Sequence, residues 1–113
     1  MLTEAALKKI DREIAKYPAD QKQSAIMSAL AIAQDEKGHL ANETVEFVAN
    51  YLGMPPVAAF EVATFYTMYN LVPVGRFHVQ VCGTTPCMLR GSDDVLAACK
   101  NHGLIKGKTT PDG

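Results

Sequence analysis

The apolar residues of this chain keep one spacing up to about residue 72 and another beyond it, and that change limits the possible folds more than any other feature. In the first stretch they return every three or four positions, as on a helix with one buried face. After Pro73 and Gly75, Phe77, Val79 and Val81 alternate with His78 and Gln80, as on a strand with one buried face. No single element serves both periods. The expectation is therefore two units, a helical bundle over 1–72 and a second unit over 73–113.

The bundle reads as four short helices. Thr3 suits an N-cap and Glu4 the first turn of a helix carrying Leu7, Ile10, Ile14 and Tyr17, which Pro18 stops. Asp20 and Gln23 have the spacing of a capping box ahead of Ile26, Met27, Leu30 and Ala33, and Gly38 ends that run. Its alanine-rich face suggests close packing. Asn42 can cap a third helix with Val45, Val48, Ala49 and Leu52, closed by Gly53. Pro56 fits a first helical turn, so a fourth helix is expected from Val57 to about Tyr69, unusually aromatic through Phe60, Phe65, Tyr66 and Tyr69.

Beyond the expected strand, Leu89, Val95, Leu96 and Cys99 describe a helix from about Met88 to Asn101, closed by Gly103. The final GKTTPDG, residues 107–113, ends on a turn signal that normally returns the chain into another strand. One strand and one helix cannot close a sheet, because ladder groups and one apolar face stay bare. The chain reads as a C-terminally truncated piece.

A net charge of -1 with both signs interspersed gives no footing for a nucleic-acid partner. No apolar run approaches the roughly 20 residues of a bilayer span, so no membrane insertion is expected. The first residues, Met1 to Ile14, are amphipathic and include acids, unlike a targeting peptide, and the expected location is the cytoplasm. Three cysteines without a secretory signal argue for thiols that bind metal, do redox work or pack, rather than for a disulfide framework.

Two of these thiols lie in VCGTTPCMLRG, residues 81–91, as C-x4-C. Thiolates bind soft or borderline metals, so Cys82 and Cys87 could together hold one iron or zinc. Gly83 would avoid crowding, Pro86 would stiffen the loop, and the start of the next helix would favour negative sulfur. Spacing alone leaves the chemistry open, since a zinc or iron-sulfur site usually needs four ligands. Cys99, beside Val95 and Leu96, reads as a small core hydrophobe. His39, His78 and His102 read as surface residues without a partner motif. Arg90 could offset the charge of a reduced centre or be a solvated helix residue; Thr84 and Thr85 could donate to a sulfur or only complete the turn. The aromatic run VATFYTMY is better read as core and interface than as a cofactor box. On the residues alone, an electron-transfer subunit, a dithiol switch or zinc module, and a helical interaction module all remain.

The segments KYP at Lys16, QSAIMSAL at Gln23, VATFYTMYN at Val62, PVGRFHVQVCGTTPCMLRG at Pro73 and GKTTPDG at Gly107 together resemble the thioredoxin-like [2Fe-2S] ferredoxin subunits of NADH:quinone oxidoreductase, the E subunits of respiratory complex I. The resemblance spans the whole chain. It implies an α+β fold in which the helical bundle precedes an incomplete thioredoxin-like α/β domain. It also implies a [2Fe-2S] cluster next to the NADH- and flavin-binding subunit, with peripheral attachment to the inner membrane through the complex and other peripheral-arm subunits as partners. By resemblance Cys82 and Cys87 are the first ligand pair, and a second pair, Cys-x3-Cys, would lie beyond Gly113. No catalytic residue is implied for this stretch, since bond-making chemistry belongs elsewhere in such a complex. Equivalent subunits of soluble NAD-linked hydrogenases and formate dehydrogenases share these features.

Overall fold

The structure, a computed structural model, describes residues 2–113. The chain divides into two compact units, Met1–Pro73 and Val74–Gly113.

In the first unit, α1 spans Glu4–Ile14 and is capped by Thr3, whose hydroxyl accepts a hydrogen bond from the Ala6 N–H at 3.3 Å. The Thr3 N–H in turn donates to the Glu36 carboxylate at 3.1 and 3.3 Å, which ties the start of α1 to the end of α2, Ile26–Lys37. The expected capping box at Asp20 and Gln23 is not formed. Pro18 stands at the N-cap instead, and Ala19–Ala25 winds as a 3₁₀ helix interrupted at Gln21 (φ -122°, ψ 32°), so α2 starts later than the sequence pattern suggests.

Gly38 (φ 83°) closes α2 and Gly53 (φ 71°) closes α3, Asn42–Leu52, both in the left-handed conformation that lacks a Cβ penalty only for glycine. Asn42 is the first residue of α3 rather than its cap, a position Ala41 takes with no side-chain hydrogen bond. Pro55 and Pro56 open α4, Pro56–Phe65.

This last helix stops four residues short of the expected end at Tyr69, for a reason that lies in α2. The Gln34 amide accepts from the Asn70 N–H at 2.6 Å and donates to the Met68 carbonyl at 3.0 Å. The Leu40 N–H reaches the Asn70 carbonyl at 2.7 Å, and the Tyr69 hydroxyl donates to the Met27 carbonyl at 2.8 Å. These bonds draw residues 66–70 back over α2, and Tyr66 leaves helical geometry (φ -87°, ψ 122°). Between the helices, Ile10, Leu30, Leu40, Val45 and Val48 are sealed from solvent. Ala25, Ala29, Ala33, Ala49, Ala59 and Ala63 let the backbones approach, as the alanine-rich face suggested.

The second unit holds two short helices, α5 (Thr85–Arg90) and α6 (Ser92–Asn101). The sequence pattern predicts one helix here. Gly91, at φ 115°, breaks it in two by leaving the right-handed region. Among the described residues no strand forms. The alternation from Phe77 to Val81 is present in the sequence, but no segment lies beside it to pair with its N–H and C=O groups, and a strand without a ladder is not a strand. The α+β expectation is thus not met in this structure, whose regular elements are all helical. The chain end turns as GKTTPDG predicts, with the Gly113 N–H on the Thr110 carbonyl at 3.0 Å, and the Arg76 N–H bonds to the Gly113 carbonyl at 3.0 Å.

Burial separates the units sharply. Every buried apolar side chain among the described residues belongs to the first unit; in the second only Ser92 is buried. Phe77 is 85% exposed and Leu89 77% exposed. No helix among the described residues is long and apolar enough to cross a membrane.

Candidate metal centre

The two loop thiols are brought together. Cys82 follows the apolar alternation directly, and Cys87 is the third residue of α5. Thr84 between them is extended (φ -70°, ψ 168°), which turns the chain into the helix, and Pro86 fixes its first turn. Cys82 and Cys87 line one open cavity of about 370 Å³ with Gln80, Arg90, Ser92 and Val95. All three cysteines are free; Cys82 is exposed, Cys87 and Cys99 half-buried.

The electrostatics of the pair are asymmetric. The Thr84 hydroxyl lies 3.2 Å from the Cys82 sulfur. That hydrogen bond, then one from the Thr84 backbone N–H, then one from the Cys87 thiol, lower the Cys82 pKa to about 7. Cys87 moves the other way: its thiol donates to Cys82 and faces the negative charge there, so its pKa is raised. Charge on sulfur is thus stabilised by discrete donors, whereas the expected helix-end contribution has only the six residues of α5 behind it. The expected need for a small residue at 83 has no counterpart in the packing either, since a Cβ on Gly83 would meet nothing within 4 Å.

Cys99 does not join the pair, and it is half-buried rather than a core residue. His78 and His102 are exposed and His39 half-buried. Among the described residues no group of three or more His, Cys, Asp or Glu side chains could hold a metal ion. Arg90 lines the thiol cavity and forms no ion pair among the described residues. The sequence left Thr84 open between sulfur donor and turn residue; the structure places its hydroxyl against the Cys82 sulfur and its backbone at the turn into α5, a combination visible in sequence only as a threonine two positions after a cysteine.

The donor set decides what fits. Two thiols lining one cavity can supply two thiolate ligands, whereas a [2Fe-2S] cluster takes four cysteine thiolates in all. Cys82 and Cys87 therefore match half of such a ligand set.

Residues 10–113 match the family of thioredoxin-like [2Fe-2S] ferredoxins. The NADH-quinone oxidoreductase E subunit of Rickettsia typhi is 53% identical over 98 residues, 86% of this chain and 58% of that protein. The protein of the same name in Rickettsia bellii is 57% identical over 94 residues, 82% of this chain and 56% of that protein. NADH dehydrogenase [ubiquinone] flavoprotein 2, mitochondrial, of Dictyostelium discoideum is 45% identical over 112 residues, 97% of this chain and 45% of that protein. The chain belongs to the thioredoxin-like [2Fe-2S] ferredoxin family. It spans about half the length of the curated relatives it matches.

Proposed function

We propose that this chain is part of an electron-transfer subunit of NADH:quinone oxidoreductase, in which Cys82 and Cys87 supply two of the four ligands of a [2Fe-2S] cluster. The observation that carries the reading is the thiol pair itself: two free cysteines lining the same cavity, in a chain of this ferredoxin family. The other two thiolates come from residues outside 1–113, and Cys99 is not one of them. Residues 1–72 form a helical bundle and residues 73–113 the first part of the thioredoxin-like domain. The bare apolar side chains of Phe77, Val79 and Leu89 pack against the remainder of that domain. The partner is the NADH- and flavin-binding subunit together with other peripheral-arm subunits, and the complex holds this subunit on the cytoplasmic face of the inner membrane.

When bound, the cluster supplies a site for one electron at a time. The chain's own residues do the rest. Cys82 and Cys87 would hold the cluster from this side, and the Thr84 hydroxyl and N–H would neutralise part of the negative charge on the Cys82 sulfur. Arg90 brings a positive charge to the same cavity. No residue here forms or breaks a bond in a substrate.

Metal analysis and electron paramagnetic resonance on the protein carrying both cysteine pairs test the reading. The expected result is about two irons per chain and a paramagnetic signal on dithionite reduction. About one zinc and no signal would replace the proposal with a zinc module. A metal-free protein unaffected by Cys82→Ser would leave only an interaction module.

A further inference from the structure

Thr84 holds the N-cap position of α5, where a threonine hydroxyl ordinarily accepts a hydrogen bond from the backbone N–H two or three residues on. It makes no such bond. Pro86, two residues on, has no N–H to offer, and the N–H of Cys87 is not used either. The hydroxyl is turned instead to the Cys82 sulfur at 3.2 Å. Between a thiol and a hydroxyl either atom can donate, but a sulfur bonded to a metal has lost its proton, and only the hydroxyl then has one to give. The neighbouring Thr85 has no hydrogen bond to either sulfur, so the contact is particular to Thr84.

We propose that Thr84 is a positioning residue of the metal centre: its hydroxyl donates a hydrogen bond to Cys82, fixes the direction of that sulfur, and favours the reduced state of the cluster. This deepens the functional reading above and rests on it. The reduced cluster carries one more electron than the oxidised one, spread over iron and sulfur. A donor aimed at a ligating sulfur therefore stabilises the reduced state more and raises the potential.

The test uses the protein carrying both cysteine pairs, loaded anaerobically with iron and sulfide, as wild type, Thr84→Val, Thr84→Ala and Thr84→Ser. Iron per chain and the midpoint potential, followed by paramagnetic resonance, are the readouts. Valine keeps the shape and loses the hydroxyl; serine keeps the hydroxyl. Thr84→Val and Thr84→Ala should shift the one-electron equilibrium toward the oxidised form on the order of tenfold, about 59 mV more negative. Thr84→Ser should stay at the wild-type potential. Loss of iron from the valine and alanine variants with retention in the serine variant would also support the proposal, as lost positioning. Full iron and the wild-type potential in Thr84→Val and Thr84→Ala would overturn it while leaving the cluster reading intact. So would an equal shift in Thr84→Ser, which would mark a packing effect. A wild-type protein that takes up no iron would overturn the cluster reading and this proposal with it.

Discussion

Cys82 and Cys87 carry different charge at neutral pH because one is the acceptor and the other a donor in the same small network. With its pKa lowered to about 7 by the Thr84 hydroxyl first, Cys82 is about half thiolate at neutral pH. Cys87, raised by its bond to that sulfur, stays protonated. Alkylating agents attack the thiolate. Iodoacetamide at pH 7 on the metal-free 113-residue chain should therefore modify Cys82 several-fold faster than Cys87, read site by site by mass spectrometry. The Cys82 rate should level off just above pH 7 while the Cys87 rate still climbs; a faster Cys87 would contradict the assigned direction of the bond. The cysteine pair was legible in the sequence through its spacing and the motif around it. The inequality within the pair was not, because it depends on where one hydroxyl points. The aromatic residues teach the same point. Tyr66 and Tyr69 look alike in VATFYTMYN, yet Tyr69 is 6% exposed and bonded to the Met27 carbonyl, whereas Tyr66 is 39% exposed. Tyr69 is therefore core, and only Phe65, Tyr66 and Met68 are left to serve as the interface the sequence suggested. In urea denaturation, Tyr69→Phe should cost about 1 kcal/mol for the lost hydrogen bond. Tyr69→Ala should cost about 3 kcal/mol or more and Tyr66→Ala less than about 1 kcal/mol.

Helix boundaries follow the sequence where the signal is local and depart from it where the cause is distant. Thr3, Pro56, Gly38 and Gly53 act within a turn of their own position, and each marks a boundary where the pattern put it. The end of α4 is set by Gln34, 36 positions away from the Asn70 it holds, and no window of neighbouring residues contains that information. The break at Gly91 is intermediate: glycine announces a possible break, but the choice of left-handed backbone depends on the residues after it. The glycine caps give a direct check. A Cβ at Gly38 or Gly53 would touch nothing within 4 Å, so the whole penalty of substitution is the left-handed φ. Gly38→Ala and Gly53→Ala should each lower stability by about 1–2 kcal/mol, and the asparagine variants by less, since asparagine tolerates that conformation. Equal losses for alanine and asparagine in thermal or urea melts would mean that something other than backbone conformation is lost.

Among the described residues, apolar burial is confined to the helical unit, and the thiol pair belongs to the unit without a buried apolar core. Local stability follows buried contact. Amide hydrogen exchange on the 113-residue chain should therefore find the slowest amides in α1 to α4 and rapid exchange in residues 74–113; strong protection confined to residues 74–102 would contradict this. The missing strand has the same origin. Alternation from Phe77 to Val81 states which face wants burial, but a sheet needs a second segment, and none pairs with it among the described residues. The central claim, that Cys82 and Cys87 are half of a [2Fe-2S] ligand set, is tested most directly by anaerobic reconstitution with iron and sulfide. Two proteins are compared: the 113-residue chain, and a version extended through a second cysteine pair. The account predicts visible absorption and about two irons per chain in the extended protein alone, with occupancy lowered by Cys82→Ser and by Cys87→Ser. A stable cluster in the monomeric 113-residue chain, or full occupancy in the extended protein without either cysteine, would contradict it.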